Sequence, residues 1–287
     1  MKNLLIRVVF ASTLLISTPT SATQSLVQHS LARQIFASKI GALIIASLAT
    51  KYSFCYSVNT KILTQTSKTK SSLPEPLQEE IKTYFKERHG ITVELKDSEK
   101  CFPDTGIASL LCAGKSSSLC NIHYKKTNFI LIPSIDRQAL CNDYFGLTKE
   151  HVFAALDHEA DHLKHNDIGI KAIGVLLTDP LPFITAKLVL IQGLNKKTSC
   201  SAFLLTSLLA GALLQAISKN QEKRCDLAAA TTPEKCRHLV GYFRYYELAE
   251  TRVDRYLCQL FGEHPLLSVR IAYLEKRAQE LERVQAA

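Results

Sequence analysis

The sequence predicts a mainly α-helical protein with a small β-sheet, an α+β architecture with added hydrophobic helices. Three observations carry this. Long stretches set apolar residues at helical spacing between recognisable caps. Two short stretches, 91–95 and 121–132, read as strands. Two apolar segments, 168–194 and 201–217, are too long for strands and interrupt a polar second half.

The elements follow in order. Residues 1–22 read as a secretory signal peptide or an uncleaved N-terminal anchor. Lys2 and Arg7 flank the start of a short apolar core, and Thr20-Ser21-Ala22 offers a small-residue cleavage site. Residues 23–73 hold a hydrophobic helix around 40–49, bracketed by Lys39 and Lys51, then a polar linker rich in Ser, Thr and Lys. The main domain is expected over 74–287. Pro74-Glu75-Pro76 opens a helix through about Arg88, and Gly90 ends it. Residues 91–95 alternate as a strand. Residues 121–124 and 128–132 form a hairpin around Lys125-Lys126.

Thr148 is an N-cap ahead of a helix whose stretch Phe153-Ala154-Ala155-Leu156 buries one face. The segment 168–194 is broken by Lys171, Asp179, Pro180, Pro182 and Lys187, whereas 201–217 is cleaner. Each reads as a membrane span, an interfacial helix or a buried helix. The last helix, from about Pro265 to Val284, is amphipathic and charged, hence surface-lying.

A length of 287 residues suffices for one sizeable domain plus membrane segments. The net charge of +9 is spread widely. No Arg-rich stripe with interleaved aromatics appears, which excludes nucleic acid as a partner. A basic chain with apolar segments faces anionic membrane lipid more naturally. Of nine cysteines, those from Cys101 to Cys141 read either as disulfide material in an oxidising compartment or as buried free thiols.

The chemistry concentrates between residues 157 and 167, Asp-His-Glu-Ala-Asp-His-Leu-Lys-His-Asn-Asp. His158, Glu159 and His162 spell H-E-x-x-H. Four residues make slightly more than one helical turn, so both imidazoles project from one face. Two nitrogens side by side hold a zinc ion, one per chain, and Glu159 lies where a general base is needed. A catalytic zinc needs a third protein ligand. Downstream, Glu222 and Asp226 are again one turn apart. Glu222 completes a two-histidine, one-carboxylate site, and Asp226 accepts the ring N–H of a ligating histidine. Farther on, His264-Pro265 reads as a turn into the last helix.

The ordered set of H-E-x-x-H, E-x-x-x-D after an apolar stretch, and H-P-x-x-x-x-R-I resembles metallopeptidase family forty-eight, the group of HtpX-, BepA- and CAAX prenyl endopeptidase-like zinc proteases. The resemblance covers roughly residues 75 to 285. It implies a zincin-like domain whose metal ligands are His158, His162 and Glu222, with Glu159 as catalytic base and Asp226 as the carboxylate behind a ligand. His264 matches a histidine close to the metal that either regulates access or stabilises the oxyanion. Arg270 matches an arginine of the same element and receives no firm role. Asp161 stands where a small residue is usual, and it is read as solvent-facing. The function implied is a membrane-associated endopeptidase acting on protein or peptide substrates in protein quality control. The alternative is a chaperone or assembly factor that keeps the zinc fold. The location implied is membrane-associated and exported, or else integral with a cytoplasmic active site.

Overall fold

The computed structural model describes residues 64, 66–101, 120–124, 127–192, 195–250 and 264–286. These residues are mainly helical with one small sheet, the α+β architecture expected. In chain order the elements are α1 (Glu75–His89), β1 (Val93–Asp97), α2 (Ser98–Cys101), β2 (Cys120–Tyr124), β3 (Thr127–Ile132), α3 (Ser134–Cys141), α4 (Lys149–His165), α5 (Asp167–Thr178), α6 (Leu181–Ile191), α7 (Lys196–Ala229), α8 (Pro233–Ala249) and α9 (Leu267–Ala286). The signal or anchor segment 1–22 and the apolar stretch 40–49 lie outside the described residues, as do 57–63 of the linker. The end of that linker packs: Leu73 is buried, and the Ser72 N–H donates to Asp97 Oδ1 at 2.9 Å.

Helix α1 runs as its signals dictate. Pro74 precedes it, and Gly90 closes it at φ +70°, a conformation that glycine adopts without Cβ strain. The Ile91 N–H returns to Phe85 O at 3.3 Å. Ile91 is therefore spent on the helix cap, and β1 starts two residues later than the alternation suggested. Ile81 and Phe85, one turn apart, are fully buried.

The sheet has the order β1-β3-β2, with β1 parallel and β2 antiparallel to β3. The expected hairpin is the β2–β3 pair, with Ile122 opposite Phe129. Among the described residues β2 is therefore an edge strand, paired on one side only. Phe129 to Ile132 are buried.

Helix α4 is the spine. Thr148 is its N-cap residue in extended backbone, and its N–H donates to His151 Nδ1 at 3.0 Å. Val152, Ala155 and Leu156 carry the α4 face into the core with Leu239 and Leu274 of the C-terminal helices. Next to them Asp157 is a buried carboxylate with four donors. Tyr84 Oη lies at 2.6 Å, His89 Nε2 at 2.9 Å, Arg88 Nε at 3.1 Å and Lys235 Nζ at 2.5 Å. A buried charge needs such partners, and these tie α1, α4 and α8 together.

The apolar segment 168–194 appears as α5 and α6, separated by Asp179-Pro180, where proline cannot continue the preceding ladder. The second segment is the first half of α7, a single helix of 34 residues, about 51 Å long. Helix α6 lies on α7, with the Phe183 and Phe203 rings 5.1 Å apart. Segments Asp167–Ile191 and Lys197–Ala229 are long and apolar enough to cross a membrane. They leave Ile173, Leu176, Leu208 and Leu209 exposed.

Cys101, Cys141, Cys200, Cys225 and Cys236 are free thiols. The disulfide reading of Cys101 and Cys141 is thereby corrected. Cys101 is buried against Phe129 and Leu131, while Cys141 is exposed at the end of α3. Cys55, Cys112, Cys258 and the Cys120 side chain lie outside the described residues.

Asp136 on α3 is fully buried and accepts from Tyr242 Oη at 3.1 Å and Tyr246 Oη at 2.9 Å. Burial pushes its carboxyl up to about 7, against the two tyrosine hydrogen bonds that favour the anion. A raised folded-state value makes its contribution complete at low pH and lost as pH rises from about 4 through about 7. Asp136→Asn should therefore gain stability relative to the parent between pH 4.5 and pH 8. Urea midpoints at the two pH values measure it, and a constant difference between the proteins would contradict the assignment.

Candidate active site

Helix α4 buries His158, Glu159 and His162, and the four-residue spacing puts the two imidazoles on one face. Helix α7 crosses it and contributes Glu222 and Asp226, both buried. The two Nε2 atoms of His158 and His162 lie 3.0 Å apart. Glu222 Oε2 is 3.3 Å from His158 Nε2, and Glu222 Oε1 is 3.3 Å from His162 Nε2. Zinc bonds of about 2.0–2.1 Å at tetrahedral angles separate neighbouring ligand atoms by about 3.3–3.4 Å. The spacing of these donors thus matches the coordination shell of one ion.

The backs of the rings fix their tautomers. His158 Nδ1 lies 2.7 Å from Asp226 Oδ1, and His162 Nδ1 lies 2.7 Å from Asp167 Oδ2. An ionised carboxylate only accepts, so each Nδ1 carries a proton towards its aspartate, and each Nε2 is turned towards Glu222. Two Nε2 protons cannot share a 3.0 Å gap. Burial disfavours charge on both rings, yet the facing acids outweigh it. Asp226 and Glu222 raise His158, and Asp167, Cys225 and Glu222 push His162 up to about 12. A cluster that holds protons this strongly has a surplus of negative charge, which a divalent cation would relieve. His158, His162 and Glu222 form a group able to hold a metal ion, with ligand atoms all within 4.8 Å of one another.

Glu159 is buried beside its neighbours and accepts from the Asn121 side-chain amide on strand β2. His264, at the start of the turn into α9, is half-exposed, and its Nδ1 lies 3.0 Å from Glu222 Oε2. Arg270 on α9 is buried and donates through Nε to Asp226 Oδ2 at 2.8 Å and through Nη2 to Asp226 Oδ1 at 2.5 Å. Its guanidinium stacks 3.9 Å from the centre of the Phe243 ring, and Tyr273 also donates to Asp226. The structure thus gives Arg270 a definite partner, which its position in the sequence did not.

Asp161 is not solvent-facing. Its carboxylate is largely buried and pairs with Arg224 Nε at 2.9 Å and with His165 Nδ1 at 3.2 Å. The reversal comes from α7, whose Arg224 reaches back across α4. Four residues at the site carried no assignment in the sequence: Asn121, Asp167, Arg224 and Tyr273. Asp167 lies inside the run quoted for the motif, but it looks like an ordinary acid in the first turn of the next helix. A cavity of about 230 Å³ adjoins His162, lined by Asn121, Asn128, Asn166 and Asp167 among others.

The family model for Peptidase family M48 matches residues 137–278, which contain the histidine pair, Glu222, His264 and Arg270. The chain belongs to Peptidase family M48. It is a metallopeptidase by that membership, and peptidases of this family are metal-dependent. No curated protein and no solved structure matches the chain.

Arg270 tests how tightly this M48 site is coupled to the fold. Removing one partner of a buried pair typically costs about 3–5 kcal/mol, against about 0–1 kcal/mol for a surface pair. Arg270→Met should therefore lower the denaturant midpoint far more than Arg237→Met, which breaks the exposed pair with Glu282. Equal shifts in the two variants would show that the Arg270–Asp226 contact contributes little.

Proposed function

We propose that the chain is a membrane-associated zinc endopeptidase of the two-histidine, one-carboxylate type, acting on misfolded or membrane-exposed proteins in protein quality control. One observation carries this reading: two imidazole Nε2 atoms and a buried carboxylate converge within 3.3 Å, each ring backed by its own aspartate. Nitrogen and carboxylate donors in this number suit zinc, with a position left for water or substrate.

His158, His162 and Glu222 would hold the ion, and Asp226 would orient His158. Zinc at such a site lowers the pKa of water towards about 7 and polarises a peptide carbonyl. Glu159 then accepts the proton of the attacking water and returns it to the leaving amine. The Asn121 amide keeps the Glu159 carboxylate turned towards strand β2. That strand has a free backbone edge among the described residues, where an extended peptide can add by main-chain hydrogen bonds. His264 is half-exposed beside Glu222, which suits a residue that meets the developing oxyanion or controls access to the metal. Membrane association rests on the two long apolar segments and their exposed leucines and isoleucines.

The test joins metal analysis to proteolysis. Purified protein should hold one zinc per chain and cleave casein, and His158→Ala should lose the metal. Glu159→Gln should keep the zinc while the turnover rate falls by about 10²–10⁴-fold, the usual size of general-base catalysis. Casein cleavage by Glu159→Gln at the parent rate would refute the assignment, as would a parent protein free of stoichiometric metal.

A further inference from the structure

We propose that Asp167 is a positioning residue for His162 and that Arg224 holds Asp167 there, so that the first residue of an apolar segment is part of the metal centre. The inference rests on the metal-centre reading above and extends it to two residues outside the sequence motifs.

The backbone makes the contact possible. Asn166 separates α4 from α5 with φ +51° and ψ +48°, a left-handed conformation that asparagine tolerates better than most residues. This reversal returns the next side chain towards the helix just completed. Asp167 Oδ2 consequently reaches His162 Nδ1 at 2.7 Å, five residues back in the chain. A regular helix brings residues three or four apart together, not five.

The carboxylate then depends on one oxygen. Oδ2 accepts from His162 Nδ1 at 2.7 Å and from Arg224 Nη2 at 2.5 Å, and it lies 3.7 Å from Cys225 Sγ. Oδ1 is buried with no hydrogen-bond partner. A buried carboxylate this poorly solvated needs a neighbouring cation to remain ionised. Arg224 supplies it, and its Nε simultaneously holds Asp161 on α4 at 2.9 Å. One guanidinium on α7 thus fastens the end of α4 and the start of α5.

The chemical effect falls on His162. A carboxylate accepting the Nδ1 proton fixes the tautomer and ring orientation and makes Nε2 the better donor. Arg224 does for Asp167 what Arg270 does for Asp226, so each imidazole is backed by its own aspartate–arginine pair. Arg224 and Glu222 lie two residues apart on α7. Docking of α5 against α7 and grip on the metal therefore share one contact.

The experiment uses the full chain, stripped of metal and titrated with Zn²⁺ against a chromophoric chelator. Asp167→Ala should bind zinc about 10- to 100-fold more weakly than the parent, the usual cost of losing a carboxylate behind a ligating histidine. Asp167→Asn, whose amide oxygen still accepts the N–H, should lie between them. Arg224→Gln should also weaken binding, and Arg224→Lys should restore most of it. Absorption of the Co²⁺-loaded Asp167→Ala protein should shift, because the His162 ring is no longer held. A folded Asp167→Ala protein that binds zinc within about twofold of the parent overturns the proposal. Should that variant fail to fold, Arg224→Gln decides: unchanged affinity overturns the proposal, and weakened affinity rescued by lysine supports it. A parent chain that binds no zinc overturns the metal-centre reading itself.

Discussion

Every other feature of the site answers one constraint: two imidazole nitrogens and a carboxylate meet so closely that only shared protons or a cation can hold them together. Two imidazole nitrogens 3.0 Å apart and a carboxylate 3.3 Å from each repel one another if left bare. Such an arrangement persists only if the surrounding fold forces it and a cation can relieve it. The forcing is visible in the helices. His158 and His162 have no choice of face on α4, and Glu222 is held by the crossing of α7. Membership of a metal-dependent peptidase family agrees with the demand for a cation.

Around these acceptors lies an alternation of charge. Asp226 and Asp167 take the imidazole protons, and Arg270 and Arg224 neutralise those aspartates. None of these groups could be buried alone, since an isolated buried charge costs far more than a fold can spare. Together they make a network in which each member satisfies its neighbour. The stacking of Arg270 on Phe243 lets a guanidinium sit in apolar surroundings without losing its partners. The network also explains why Asp161 turns inward: Arg224 has donors to spare after Asp167, and Asp161 is the next carboxylate along α4.

Local periodicity made part of this legible in the sequence. The H-E-x-x-H spacing determines a shared helix face whatever the rest of the chain does. Gly90 marks the end of α1 because its backbone angle suits glycine, and the strand pair around Lys125-Lys126 follows from alternation. The link from Glu222 to the histidines depends on a crossing of two helices some sixty residues apart, which composition does not encode. What points to Glu222 in the sequence is its one-turn spacing from Asp226 downstream of the histidine pair, joined by the family resemblance. Asp167 stayed hidden for a different reason. An aspartate at the first position of a helix satisfies a common local rule, and only the left-handed turn at Asn166 diverts it to His162. Arg270 likewise takes its role only from the packing of α9, which presses it against Asp226. The one-residue nature of these contacts is why spacing points to the ligands and to Asp226 but not to Asp167, Arg224 or the role of Arg270.

Helix α7 changes character along its length, and that change bears on how the enzyme would meet a substrate. Its first half exposes Leu204, Leu205, Leu208 and Leu209, while its second half buries Glu222 and Asp226. From Leu209 to Glu222 is thirteen residues, about 20 Å along an unbroken helix. If the exposed half lies in lipid, that rise sets the distance between bilayer and metal by covalent geometry and not by a flexible linker. Asp167 and Arg224 join the first apolar segment, at the start of α5, to the same frame at the metal end. Substrate selection by such a device would depend on how far a peptide bond lies from the membrane as much as on the side chains beside it.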